Sequence, residues 1–122
     1  MNPSRRTHGQ AEPFVTLDGS LIRELVHPNQ GMAQAQSLAE ATVPAGATTT
    51  LHRHRLTEEL YHVLRGRGLM ELDGARFEVT VGDTVVIRPG TAHCIHNPGV
   101  EDLVFLCCCA PAYADADTEL LG

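Results

Sequence analysis

The feature that most constrains this chain is how often turn residues interrupt it. Clusters of Pro, Gly, Asn and Asp recur at His27-Pro28-Asn29, Pro44-Ala45-Gly46, Gly66-Arg67-Gly68, Asp73-Gly74, Gly82-Asp83, Pro89-Gly90 and Pro98-Gly99. The segments between them are mostly of strand length. The spacing predicts strands over residues 21–26, 33–43, 49–56, 59–64, 69–72, 75–79, 84–87, 93–96 and 103–109. Asp73-Gly74 between two of them is a strong hairpin signal. Residues 33–41 are rich in Ala and Gln and also suit a helix. The turn at Val43-Pro44-Ala45-Gly46 and the β surroundings favour a strand there. Many short strands at this spacing predict an all-β sandwich or barrel.

A chain of 122 residues has room for one domain with one core. The expected organisation is a flexible arm over residues 1–16, a barrel over 17–112 and an acidic tail over 113–122 that packs as an arm or a short helical turn. The formal net charge is −6, and the nine basic residues are all Arg, scattered along the chain. A nucleic-acid partner needs clustered positive charge, so none is expected. No apolar run reaches membrane-spanning length, and MNPSRRTHGQ has no apolar stretch behind it. The expectation is a cytoplasmic protein with no membrane partner. Cys94 stands apart from the consecutive Cys107, Cys108 and Cys109. That pattern is neither a disulfide framework nor a zinc finger, and predicts small buried apolar residues.

Five of the seven histidines fall between positions 52 and 96. His52 and His54 share one face of a strand, and Arg53 takes the other. Glu59 shares a face with Tyr61 and Val63, and His93 with Ile95. Three imidazoles and one carboxylate can then converge inside a small barrel. Left without a metal, such a group is costly to desolvate. Neutral imidazoles with one carboxylate suit a divalent ion. Alternation puts the competing Glu58 on the face opposite Tyr61. Tyr61 is the candidate catalytic residue, able to hydrogen-bond a substrate or transfer a proton; it reads equally as a core aromatic. His62, His96 and Cys94 are expected to face away from the site, and Arg53 and Arg55 to be solvated. His8 and His27 read as surface residues. Met70, Phe77, Val79, Val85, Ile87, Ile95 and Phe105 are the expected packing residues.

The order Gly46, five residues, His52-Arg53-His54, four residues, Glu59, six residues, Gly66 resembles the first cupin motif. Gly82, five residues, Arg88-Pro89-Gly90, two residues, His93, three residues, Asn97 resembles the second. Arg88 stands where that motif usually has Pro, while Pro89-Gly90 keeps the turn. The resemblance is to small single-domain cupins, many described as similar to mannose-6-phosphate isomerase. It implies a double-stranded β-helix, or jelly-roll, barrel. It also implies one divalent transition metal on His52, His54, Glu59 and His93, with Mn or Fe favoured over Ni, Co, Cu and Zn. The implied function is a metal-dependent enzyme acting on a small organic molecule, of dioxygenase or isomerase/lyase type. The alternative is a non-catalytic cupin that binds or senses a small molecule or metal. A homodimer is expected from the same resemblance and from sheet edges that seek cover.

Overall fold

The computed structural model describes residues 4–122. Its strands are β1 (Phe14–Val15), β2 (Leu21–Val26), β3 (Ser37–Val43), β4 (His52–His54), β5 (Glu58–Arg65), β6 (Arg67–Leu72), β7 (Ala75–Thr80), β8 (Thr84–Ile87), β9 (His93–His96), β10 (Leu103–Ala110) and β11 (Thr118–Leu120). Single 3₁₀ turns lie at His8–Gln10, Pro28–Gln30 and Asp115–Asp117. A six-stranded sheet runs β1-β2-β3-β10-β5-β8, and a five-stranded sheet runs β11-β4-β9-β6-β7. All their pairings are antiparallel. This is a jelly-roll barrel, two sheets closed over one core, as the sequence resemblance implies.

The core follows from strict alternation on the central strands. β10 buries Leu103, Phe105, Cys107 and Cys109 and leaves the residues between them half-buried. On β5 the buried set is Glu59, Tyr61 and Val63. Register places Phe105 beside Val63, Cys107 beside Tyr61 and Cys109 beside Glu59. One end of the interior is therefore apolar, filled by Phe105, Leu103, Val63, Met70 and Ile95, while Ile87 packs beside Glu59. The polar inward residues lie at the other end. Burying each large apolar side chain contributes roughly 1.5–3 kcal/mol, so the apolar end holds the sheets together and leaves the polar end free for other work.

Several sequence expectations are corrected. The strand predicted over 33–43 begins only at Ser37, because its partner β10 reaches Ser37 at Cys109 and β2 has ended at Val26 beside Leu38. Within 49–56 only His52–His54 is a strand. The Thr49 and Thr50 amides donate instead to the carbonyls of Ile95 and Asp18. Part of the presumed flexible arm, β1, pairs with β2; the tail does pack, through a 3₁₀ turn at Asp115–Asp117 and β11 beside β4. Phe77 is 39% exposed, because β7 is an edge strand of its sheet. Met70, Val79, Val85, Ile87, Ile95 and Phe105 are buried as packing residues.

Two turns show why their residues are needed. Asp73-Gly74 joins β6 to β7 with both residues at positive φ, 46° and 86°, the geometry of a type I′ hairpin. Gly66 has φ of 78°, and a Cβ there would lie 2.6 Å from the Asp102 carbonyl oxygen. Gly46 has a similar φ of 79° but open space around it. Gly46→Ala is expected to cost about 1–2 kcal/mol, the strain of a left-handed alanine. Gly66→Ala adds a backbone clash and should lower the melting temperature clearly more. Equal losses in thermal denaturation would contradict this account.

Candidate metal centre

β4 and β9 pair through a single register point, His52 beside His93. Alternation then turns His52, His54 and His93 inward from the five-stranded sheet, and all three are buried. Glu59 faces them from the six-stranded sheet and is 4% exposed. One ligand atom from each of these four residues lies within 4.8 Å of the others. The glutamate Oε1 is 3.2 Å from His54 Nε2 and 3.4 Å from His93 Nε2. Glu58 is exposed.

The far side of each imidazole fixes its tautomer. His52 Nδ1–H donates to the Thr50 carbonyl at 2.8 Å, and His93 Nδ1–H donates to the Thr91 carbonyl at 2.9 Å. A carbonyl only accepts, so the proton sits on Nδ1 and the Nε2 lone pair faces inward. His54 Nδ1 meets the Thr118 hydroxyl at 3.0 Å, and that hydroxyl donates onward to the Ala114 carbonyl at 2.9 Å. Thr118 therefore accepts from His54, and the same tautomer follows. This arrangement orients imidazoles as metal ligands. It leaves His93 Nε2 and Glu59 Oε1 buried with no hydrogen-bond partner. Buried polar atoms are rarely left in that state, and a cation between them satisfies both. Three neutral nitrogens and one carboxylate oxygen fit a divalent transition metal.

Electrostatics agree with that donor set. Burial pushes the Glu59 carboxyl upward, and with lone pairs facing it from His54 and His93 a cation between them is what would keep it ionised. Burial and the neighbouring His93 lower the His52 pKa, favouring the neutral ligand form. The other glutamate oxygen, Oε2, accepts from the Cys109 thiol at 3.2 Å. Burial, together with Glu59, keeps that thiol protonated.

His52, His54 and Glu59 line a cavity of about 460 Å³, and His93 is fully buried beside them. Tyr61 lines it too, with its ring 6.0 Å from His93 and stacked at 4.4 Å on Phe105. Burial and the nearby Glu59 raise its pKa well above the ordinary value, so it is a neutral phenol. It is both a core aromatic and a cavity residue. His62 and His96 face away, bonded to Thr84 and Thr48. Cys94 is half-buried outside the cavity lining. Arg53 pairs with Glu119, and Arg55 reaches the Ala116 carbonyl. Arg88 is exposed.

His27 is a correction. It is buried, not a surface residue, and lines the cavity. Its Nδ1 accepts from the Asn29 amide and its Nε2–H donates to the Tyr113 carbonyl. His8 is exposed and lies 3.0 Å from Glu40. The cysteines divide. Cys107 and Cys109 are buried and line the cavity, whereas Cys94 and Cys108 are half-buried. Cys109 is also more than an apolar filler, because it donates to a ligand carboxylate.

Asp18, Thr118 and Cys109 carry no motif signal. Only the i, i+2 step from Cys107 to Cys109 on one strand hinted at a shared inward face. Asp18 Oδ1 accepts from the Thr16 hydroxyl and from the Ser20 amide and hydroxyl. Its Oδ2 faces His52 Nε2 at 3.9 Å.

Comparison with known proteins agrees with this geometry. The cupin domain family matches residues 39–109, and the chain belongs to that family. An uncharacterized protein of Methanocaldococcus jannaschii is 52% identical over 114 residues, 93% of this chain and 91% of that protein. An oxalate-binding protein of Thermotoga maritima is 33% identical over 73 residues, 60% of each chain. Among solved structures, a predicted oxalate decarboxylase of Thermotoga maritima has a TM-score of 0.76 at 24% identity, covering 88% of this chain and 98% of that one. The nucleoside dehydratase Pac13 of Streptomyces has a TM-score of 0.77 at 16% identity, covering 96% and 89%. These two likenesses establish the fold. Among the described residues no helix is long and apolar enough to cross a membrane.

Thr118 gives a specific test of how the centre is oriented. Thr118→Ala removes the acceptor of His54 Nδ1–H and should weaken metal affinity about 10–100-fold. Thr118→Ser keeps the hydroxyl and should retain most of the affinity in a competitive metal titration.

Proposed function

We propose that this cupin is a metal-dependent enzyme acting on a small organic molecule, with the metal held by His52, His54, Glu59 and His93. The observation that carries the reading is the pair of partnerless buried atoms, His93 Nε2 and Glu59 Oε1, in a group whose Glu59, His52 and His54 line a ligand-sized cavity. Mn or Fe is the favoured ion. A divalent ion there would supply Lewis-acid polarisation of a substrate oxygen and, in a redox-active form, dioxygen chemistry. The chain's own residues bind and orient. Thr50, Thr91 and Thr118 hold the imidazoles, and Cys109 holds the carboxylate. The neutral phenol of Tyr61 is a hydrogen-bond donor to substrate. Phe105 and Tyr61 give the cavity an apolar wall that limits water around the reacting group.

A second reading is a cupin that binds its small molecule without turnover. It is favoured by the relative named for oxalate binding. Metal analysis followed by turnover separates the two. The purified protein should carry about one transition metal per chain, and His93→Ala should lose it. Oxygen uptake with diketones, catechols, flavonols and thiols tests the dioxygenase branch, and product analysis with sugars tests the isomerase/lyase branch. Ligand-dependent stabilisation without product in any assay would leave the binding reading. A protein that takes up no metal would end both metal-dependent readings.

We also propose that the chain works as a homodimer. The outer face of the six-stranded sheet aligns Val86, Leu60, Cys108 and Leu38 across four neighbouring strands. Val86 is 53% and Leu60 36% exposed. A second copy is the natural cover for such a face. Light scattering should give twice the chain mass. A Leu60→Glu, Val86→Glu double variant should give the single mass while still binding metal.

A further inference from the structure

The sign of charge around the cavity is unusual for a protein whose relative binds a dianion. Its lining contains the carboxylates Asp18, Glu24, Glu59 and Asp115. It contains no Arg, and the chain has no Lys. His27 adds no positive charge, because its Nδ1 accepts a hydrogen bond from the Asn29 amide. One divalent ion against four carboxylates leaves the lining net negative. An anionic ligand would meet attraction only at the metal and repulsion from Asp18, Glu24 and Asp115 around it. Like charges brought together in a partly dehydrated site cost several kcal/mol. An uncharged ligand meets no such penalty.

Asp18 narrows the class further. Three hydrogen bonds from Thr16 and Ser20 occupy its Oδ1. Its Oδ2, among the described residues, receives none, and it lies 3.9 Å from the metal-facing nitrogen of His52. The tightly held Oδ1 fixes the direction of Oδ2. A carboxylate oxygen with free lone pairs, held beside the metal position, suits a hydroxyl donor. The apolar cavity wall is supplied by Phe14, Ile22, Ala39, Ala41 and Phe105, which suits a carbon skeleton and not a second charged group.

Resting on the metal-centre reading above, we infer that the cavity selects an uncharged, hydroxyl-bearing organic molecule over carboxylates and phosphates. The oxygen that meets the metal and the hydroxyl that meets Asp18 sit on neighbouring atoms of that molecule. An α-hydroxycarbonyl compound or a vicinal diol has this pattern. Asp18 is then a substrate-binding residue that sets specificity by charge and by hydrogen-bond acceptance together.

The test begins with Co²⁺, whose visible absorption reports both occupancy of the site and ligands arriving at it. A chain that takes up no Co²⁺ overturns the metal-centre reading before any ligand is added, and this inference with it. The Co²⁺-loaded protein is then titrated with matched pairs: glycolaldehyde against glycolate, dihydroxyacetone against its phosphate, and ribose against ribose 5-phosphate, with oxalate as the dianion. The uncharged member of the pairs that bind should bind about ten-fold more tightly. Asp18→Asn keeps Oδ1 and its three hydrogen bonds, and replaces Oδ2 with a donor. This variant should weaken the uncharged member and strengthen oxalate, shifting their ratio by about ten-fold. Glu24→Gln, half-buried and further along the lining, should strengthen oxalate by less, and stands in if Asp18→Asn fails to fold. Tighter binding of the anionic members overturns the inference while leaving the metal centre intact. So does a ratio that neither variant moves, or a loaded protein that responds to none of the uncharged probes.

Discussion

The structure depends on one contact across its two sheets, the Glu59 carboxylate on β5 against the imidazoles of His54 and His93 on β4 and β9. A buried carboxylate loses its hydration, and only strong partners offset that loss. Here the opposite sheet offers nitrogen lone pairs, so a cation between them and the carboxylate would close the polar end of the barrel, while apolar packing closes the other. The backbone around it serves to hold this contact. β10 sets Cys109 beside Glu59, β9 sets His93 beside His52, and β11 brings Thr118 to His54. Removing the carboxylate would leave the metal position without its only acidic ligand and the two sheets without their one polar link among these residues.

The inner ring of this centre was legible because it obeys a local rule. His52 and His54 are two residues apart on one strand. Glu59 shares the parity of Tyr61 and Val63, and Glu58 does not. Alternation alone decides those faces, and no knowledge of the partner strand is required. The turn residues were legible for the same reason, since Asp73-Gly74 announces a hairpin through its own backbone preferences. Phe77 shows the limit. Its pattern is that of an inward residue, but edge position decides its exposure, and edge position is a property of the whole sheet.

The outer ring was not legible, because it is made by tertiary placement of residues that lack regular patterning. Thr118 orients His54 from a segment that resembles a tail. Asp18 reaches the cavity from a turn just before β2, held by Thr16 and Ser20. His27 is drawn inside by a hydrogen bond to Tyr113, far along the chain. Cys109 sits in a run of identical residues whose roles differ only by parity. In each case the partner that gives the residue its role comes from a different stretch of chain, so no window of sequence contains the signal.

The bond between Thr118 and His54 joins residues 64 positions apart, and this has a kinetic consequence. Contacts between distant residues form slowly, because much of the chain must be confined before they can be made. The inner ligands can gather when β4, β5 and β9 meet, but His54 gains its fixed tautomer only when β11 docks. Before β11 docks, the Nδ1 of His54 lacks its acceptor and the ring is free to turn. Docking of β11 thus turns a cluster of histidines into an ordered set of donors, and the closing strand acts as the catch that fixes the direction of His54.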